Sequence, residues 1–119
     1  FLSGKISRNP EGELIIGKLG TDLTVEQGYE AARFCGISQL ATLKAELGDL
    51  NKVVRIVKVT GMVNSDPGFT DQSKVVNGYS DLMVEVFGER GKHARAAVGM
   101  ASLPLGLACE VEMIVEVLD

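Results

Sequence analysis

Cys109-Glu110-Val111-Glu112-Met113-Ile114-Val115-Glu116-Val117 alternates apolar and polar residues with a period of two. Successive side chains of a strand point to opposite faces. Cys109, Val111, Met113, Val115 and Val117 therefore share one face, and Glu110, Glu112, Ile114 and Glu116 share the other. The apolar face packs on helices. The opposite face, acidic with one isoleucine, is either wet or covered by something outside this chain.

Working outward, Arg95 to Met100 reads as another strand, joined to the last one through Leu103-Pro104-Leu105-Gly106. Upstream, a helix is expected from about Thr70 to Phe87, with Val75, Tyr79, Leu82, Met83 and Val86 facing inward and Gly88 stopping it. Asp66-Pro67-Gly68 turns the chain into that helix. Lys52 to Val63 is β-branched and apolar on both faces, with Val53, Val57, Val59 and Val63 on one and Val54, Ile56 and Met62 on the other. Such a strand belongs in the middle of a sheet.

Thr24 with Gln27 three residues on is a capping box that opens an earlier helix, and Gly48 closes it. Its apolar stripe reads Val25, Tyr29, Ala32, Gly36, Ile37, Leu40, Leu43 and Leu47. Phe1 to Ile6 and Leu14-Ile15-Ile16 read as two opening strands around turn chemistry at Pro10 and Gly12.

Two strands, helix, strand, helix, two strands place both helices on one face of a mixed sheet of four to six strands. The fold class is α+β, a two-layer sandwich. A single helical layer leaves the other sheet face bare, and solvated apolar surface costs about 25 cal/mol per Å². Association through that face removes the cost, so a homo-oligomer is expected.

The chain, 119 residues long, is read as one domain over 1–119 that lacks a short N-terminal segment, because a strand begins at its first residues. A net charge of −4 argues against a nucleic-acid surface. No apolar run approaches the roughly 20 residues that span a bilayer, and no secretory leader is expected. Cys35 and Cys109 have no framework or metal-ligand spacing and read as buried reduced thiols of a cytoplasmic protein. With His93 as the one histidine, a metal site is set aside, and no cofactor is expected.

Familiar catalytic motifs are absent, so chemistry must be sought residue by residue. Arg95 with Lys92 and His93 forms a small cationic spot. It reads either as a solvated strand edge or as a carboxylate clamp, since guanidinium and carboxylate match through two parallel hydrogen bonds. Glu110, Glu112 and Glu116 form either a solvated face or the source of a general acid/base. His93 reads as an exposed turn residue, and Ser80-Asp81 and Ser65-Asp66 as helix and turn residues without a histidine partner.

Phe1-Leu2-Ser3-Gly4-Lys5-Ile6, Gly12-Glu13-Leu14 and Arg95-Ala96-Ala97-Val98, followed by Leu103-Pro104 and Glu110-Val111-Glu112, resemble the YjgF/RidA family of reactive-intermediate deaminases over essentially the whole chain. Gly17 to Ala32 and Val75 to Phe87 look like a divergent, less-characterised branch of it. The resemblance implies a chorismate-mutase-like fold, a homotrimer whose sheets form a central barrel, and ligand sites in the clefts between subunits. It also implies hydrolysis of enamine/imine products of amino-acid dehydratases, such as 2-aminoacrylate, to a 2-keto acid and ammonia, without a cofactor.

By the same resemblance, Arg95 grips the substrate carboxylate and Glu110 positions or activates the attacking water. Ser3 and Asn77 line the site. Lys5 stands where glutamine is usual and Ala97 where a cysteine is usual. A different class of function is a non-catalytic, small-carboxylate-binding or regulatory trimer. A third is the endoribonuclease or translation-inhibitor activity attached to the family, against which an acidic chain with five arginines speaks. Should strands 94–100 and 109–117 pair, Arg95 falls opposite about residue 114, leaving Glu110 about 13 Å away along the strand. A site that uses both is then more natural across an interface.

Overall fold

Thr24 accepts a hydrogen bond from the Gln27 backbone while the Gln27 side chain returns one to Thr24 N, so two otherwise orphaned donors are satisfied and a helix starts where the sequence places it. In the computed structural model, which describes residues 1–119, that helix is α1 (Val25–Leu47), and it ends on Gly48 at φ +80°. It follows strand β1 (Leu2–Ile6) and precedes β2 (Val53–Asn64), α2 (Gln72–Phe87), β3 (Ala94–Met100) and β4 (Cys109–Val117). The sheet order is β1-β4-β2-β3, with β2–β3 parallel and the other two pairs antiparallel. Both helices lie on one face of this four-stranded mixed sheet, and the core between the layers holds Val59, Val63, Val76, Tyr79, Met83 and Val111, among others. No helix is long and apolar enough to cross a membrane.

β4 follows its alternation over most of its length: Cys109, Val111 and Met113 are buried and Glu112 is exposed, but Val117 at its end is exposed like Glu116. β2 does not. Val53, Ile56, Val59 and Val63 are the buried set, so Ile56 faces the helices and Val57 does not join them. Register shifts against β4 between Val53 and Arg55 and between Ile56 and Lys58 supply the reason. Each bulge inserts one unpaired residue and swaps the faces that follow it.

The buried face of α1 is Gly28, Ala31, Ala32, Cys35, Gly36, Gln39 and Leu43, while Ile37 is 46% exposed. The expected stripe is rotated because close approach, rather than hydrophobicity, decides which side meets α2. A Cβ on Gly36 would sit 2.8 Å from Leu82 Cδ2, and one on Gly78 of α2 would sit 2.0 Å from the Tyr29 carbonyl oxygen. On α2, Val75, Tyr79, Leu82 and Met83 are buried as expected, but Val86 is exposed and Phe87 takes its place. The Tyr29 hydroxyl donates to Asp81 Oδ2 at 2.8 Å, and Arg33 forks onto Glu85, tying the helices together on their outer side.

Leu14-Ile15-Ile16 forms no strand. It makes isolated bridges from Leu14 to Arg8 and from Ile16 to Leu107, because Gly12 and Gly17 at positive φ bracket it and leave too few residues for a ladder. β3 pairs with β2 and not with β4, so the direct register expected between Arg95 and residue 114 does not exist. Arg95 instead aligns with Val59, and through it with Met113.

Candidate functional site

Val59 and Met113 are buried under the helices, and residues in register share a face, so Arg95 also points to the helical side. β3 is an edge strand, and there the guanidinium meets one face of α2, which presents Ser73, Asn77 and Ser80 at spacings of four and three. Nη1 of Arg95 donates to Asn77 Oδ1 at 2.8 Å and to Ser80 Oγ at 3.2 Å, and Nη2 donates to the Ser73 carbonyl at 3.4 Å. All three acceptors are neutral. The ion pairs of the molecule are Arg33–Glu85, Arg55–Glu116, Lys74–Asp71 and Lys92–Glu89, so Arg95 has no counter-ion. It opens onto a cleft of about 260 Å³ lined by Asn77, Ser80, Val84, Lys92 and His93.

His93 is not an exposed turn residue, and Ser80 does have a histidine partner. Half-buried, the His93 ring sets Nδ1 2.6 Å from the Gly91 carbonyl and Nε2 2.8 Å from Ser80 Oγ. A carbonyl can only accept, so the proton sits on Nδ1 and Nε2 is left to accept from the Ser80 hydroxyl. Gly91 can offer that carbonyl because it has no side chain: a Cβ there would lie 2.2 Å from the Met83 carbonyl oxygen. Burial lowers the His93 pKa below 6.5, the Arg95 charge lowers it further, and the bond to Gly91 opposes both. Asp81 is engaged with Tyr29, so no Ser-His-Asp triad forms.

Glu110 lies elsewhere. It pairs in register with Met62 and Ile6, three residues along β4 from Met113, and so faces the side of the sheet without helices. Its side chain covers Gly4 of β1, where an added Cβ would come within 2.9 Å of Glu110 Cγ. Ser3, the residue before Gly4, is exposed and lines a separate cavity of about 330 Å³ with Leu2, Thr60 and Glu112. Its carbonyl takes a hydrogen bond from buried Gln39 at 3.3 Å. The structure thus joins Arg95 to Asn77, sets Glu110 beside β1, and separates the two groups by roughly 14 Å, two strand spacings and three residue rises.

The sequence assigns Ser80 and His93 no role and does not pair them, whereas the structure brings them into contact. The signal was present: His93 stands two positions before Arg95, just ahead of β3, and Ser80 three after Asn77 on one face of a helix. Missing was the fact that those two places meet. No three His, Cys, Asp or Glu side chains converge as a metal site requires. The Cys35 and Cys109 thiols are fully buried with Sγ atoms 3.6 Å apart, and their mutual hydrogen bond, with burial, holds the Cys35 thiol well above its ordinary pKa.

The chain matches over residues 2–117 the family described as "YjgF/chorismate mutase-like, putative endoribonuclease". It is 50% identical over 116 residues to Protein TCP17 of Trypanosoma cruzi, covering 97% of this chain and 72% of that protein. The crystal structure of Atu1372 from Agrobacterium tumefaciens superposes with a TM-score of 0.93 at 44% identity, over 97% of this chain and 73% of the other. A Shewanella oneidensis protein carrying the same endoribonuclease name gives a TM-score of 0.92 at 33% identity, over 97% and 76%.

Proposed function

The chain belongs to the YjgF/chorismate mutase-like family, and from that premise we propose that it hydrolyses small 2-imino acids, released by amino-acid dehydratases, to 2-keto acids and ammonia. The observation that carries the reading is Arg95, a guanidinium without a counter-ion, held by neutral acceptors at the mouth of a cleft. Three of its five N–H donors are engaged, which leaves two, the number a carboxylate takes in a forked pair. An imine carbon is already electrophilic. Anchoring the carboxylate and orienting one water against that carbon can lower the barrier by several kcal/mol without a metal or covalent nucleophile.

Arg95 on the β3 edge binds the carboxylate with Asn77 as its anchor, and Glu110 of a neighbouring copy orients the attacking water. Arg95 sits on one edge strand of the sheet, while Glu110 and Ser3 sit beside or on the other. A closed ring of copies, β3 edge toward β1 edge, brings both groups into one cleft. We take that ring to be a homotrimer with the bare sheet faces lining its centre, and the protein to work in the cytoplasm, where its two free thiols stay reduced. The endoribonuclease name in the family description draws no support from a chain of net charge −4 with five arginines.

The test is ammonia release when a dehydratase generates the imine in situ, with and without the protein. Acceleration well above spontaneous hydrolysis is expected. Binding of 2-oxobutanoate without any acceleration would instead establish a carboxylate-binding trimer.

A further inference from the structure

We infer that Ser80 and His93 form a proton relay for this hydrolysis, placed on the Arg95 side of the cleft. The inference deepens the deaminase reading and rests on it. Hydrolysis of an imine moves two protons. One leaves the attacking water, and in the second step one leaves the carbinol oxygen; both end on nitrogen. Glu110 lies on the far face of the sheet from Arg95, whereas Ser80 Oγ touches the Arg95 guanidinium directly, at 3.2 Å.

The relay is built in three contacts. The Gly91 carbonyl fixes the proton of His93 on Nδ1, so Nε2 carries the free lone pair. The Ser80 hydroxyl bridges Nε2, at 2.8 Å, to the cleft. Arg95 donates to the same Ser80 oxygen, which makes its proton easier to pass on. The charged groups nearby are Arg95 and Lys92, the latter paired with Glu89; α2 brings Asn77, Ser80 and Val84 here, its Asp81 and Glu85 being committed to Tyr29 and Arg33. His93 therefore has no carboxylate to hold it protonated, and burial, with the Arg95 charge, lowers its pKa.

In the first step the water oxygen bonds to C2 and the C=N π pair moves to nitrogen. The water proton goes to Ser80 Oγ as the Ser80 proton goes to Nε2. That proton then returns along the same path to the nitrogen and gives the carbinolamine. In the second step the hydroxyl proton takes the same route to nitrogen, the C–N bond breaks with its electron pair, and ammonia leaves a 2-keto acid. Ser80 and His93 finish as they began.

The test measures kcat/KM for ammonia release between about pH 5 and pH 8 in the parent, His93→Gln and Ser80→Ala, and 2-oxobutanoate binding in all three. Both variants are expected to lose about 100-fold in kcat/KM while binding the keto acid within about threefold of the parent, because Asn77 still holds Arg95. The acid limb of the parent profile should disappear in His93→Gln. Nitrogen-15 NMR of the imidazole should show a protonated Nδ1 and a bare Nε2 near neutral pH. A His93→Gln enzyme that keeps its rate and its acid limb, or a proton found on Nε2, overturns the relay while the deaminase reading stands. A parent that shows no turnover overturns both.

Discussion

Arg95 and Glu110 stand on opposite faces of one sheet. Arg95 is in register with Val59 under the helices, and Glu110 with Met62 on the bare side. A small keto acid cannot span them within a subunit, so the carboxylate anchor and the Glu110 carboxylate are separable by mutation.

Arg95→Lys keeps the charge and loses the fork. A lost charge-assisted hydrogen bond costs about 1.5–3 kcal/mol, so 2-oxobutanoate binding should weaken about ten- to hundredfold with the fold intact. Asn77→Ala, which removes the shorter anchor of the guanidinium, should weaken it less, by about five- to tenfold. Isothermal calorimetry on both variants checks the order. Equal affinity in parent and Arg95→Lys would remove Arg95 from the site.

Glu110→Gln should bind the keto acid like the parent and lose turnover. Gly4→Ala should do the same through geometry alone, since its new Cβ falls within 3.0 Å of Glu110 Cδ and Oε1 and must displace the carboxylate. Steady-state ammonia release next to a binding isotherm separates the two effects. If both variants turn over normally, Glu110 has no part in the chemistry.

Gly78→Ala sets two effects against each other. Alanine favours a helix by about 1 kcal/mol over glycine. Its Cβ, however, would lie 2.0 Å from the Tyr29 carbonyl oxygen, and backbone cannot rotate away. Overpacking of that kind costs about 1–3 kcal/mol and sometimes more, so a net loss is expected. A urea midpoint lower than that of the parent is the outcome to look for; a rise would mean that the helices part without cost.

Burial and Arg95 lower the His93 pKa below its unfolded value of 6.5. Below that pH the unfolded chain takes up a proton that the native ring resists, so His93 favours the folded state above 6.5, and that contribution fades as the pH falls through the native pKa. Parent and His93→Gln should differ in the slope of urea midpoint against pH over about pH 7 to 5, with the parent falling more steeply. Parallel slopes would show that the ring titrates as freely in the folded state as in the unfolded one.

Local rules made part of this molecule legible. The Thr24–Gln27 capping box, the Gly48 and Gly88 stops and the alternation over most of β4 each depend on neighbours within a few residues, and each stands where the sequence places it. β2 was misread at Ile56 because its bulges arise against β4, more than fifty residues away. The face of α1 was misread because glycine and alanine carry no hydrophobic signal, although their smallness is what lets α2 approach. Of the candidate site, Arg95 stands out in the sequence as part of a cationic spot with Lys92 and His93, and Asn77 is reached through family resemblance alone. The Ser80–His93 contact depends on the residue leading into β3 meeting a face of α2, which no window along the chain contains.

The sheet order has a consequence for how the chain acquires its structure. β4, the last element, lies between β1 and β2, the first and second strands, so both wait for the same late segment. During synthesis, α1, β2 and α2 emerge with no antiparallel partner to pair against, and the apolar residues of β2 are left with only the helices and, later, parallel β3. Pairing over more than a hundred residues between β1 and β4 is slow by its topology. Nascent chains therefore expose β2 as an unpaired edge until residues 109–117 are available, which makes the interval before β4 inserts the one most open to chaperones and to aggregation.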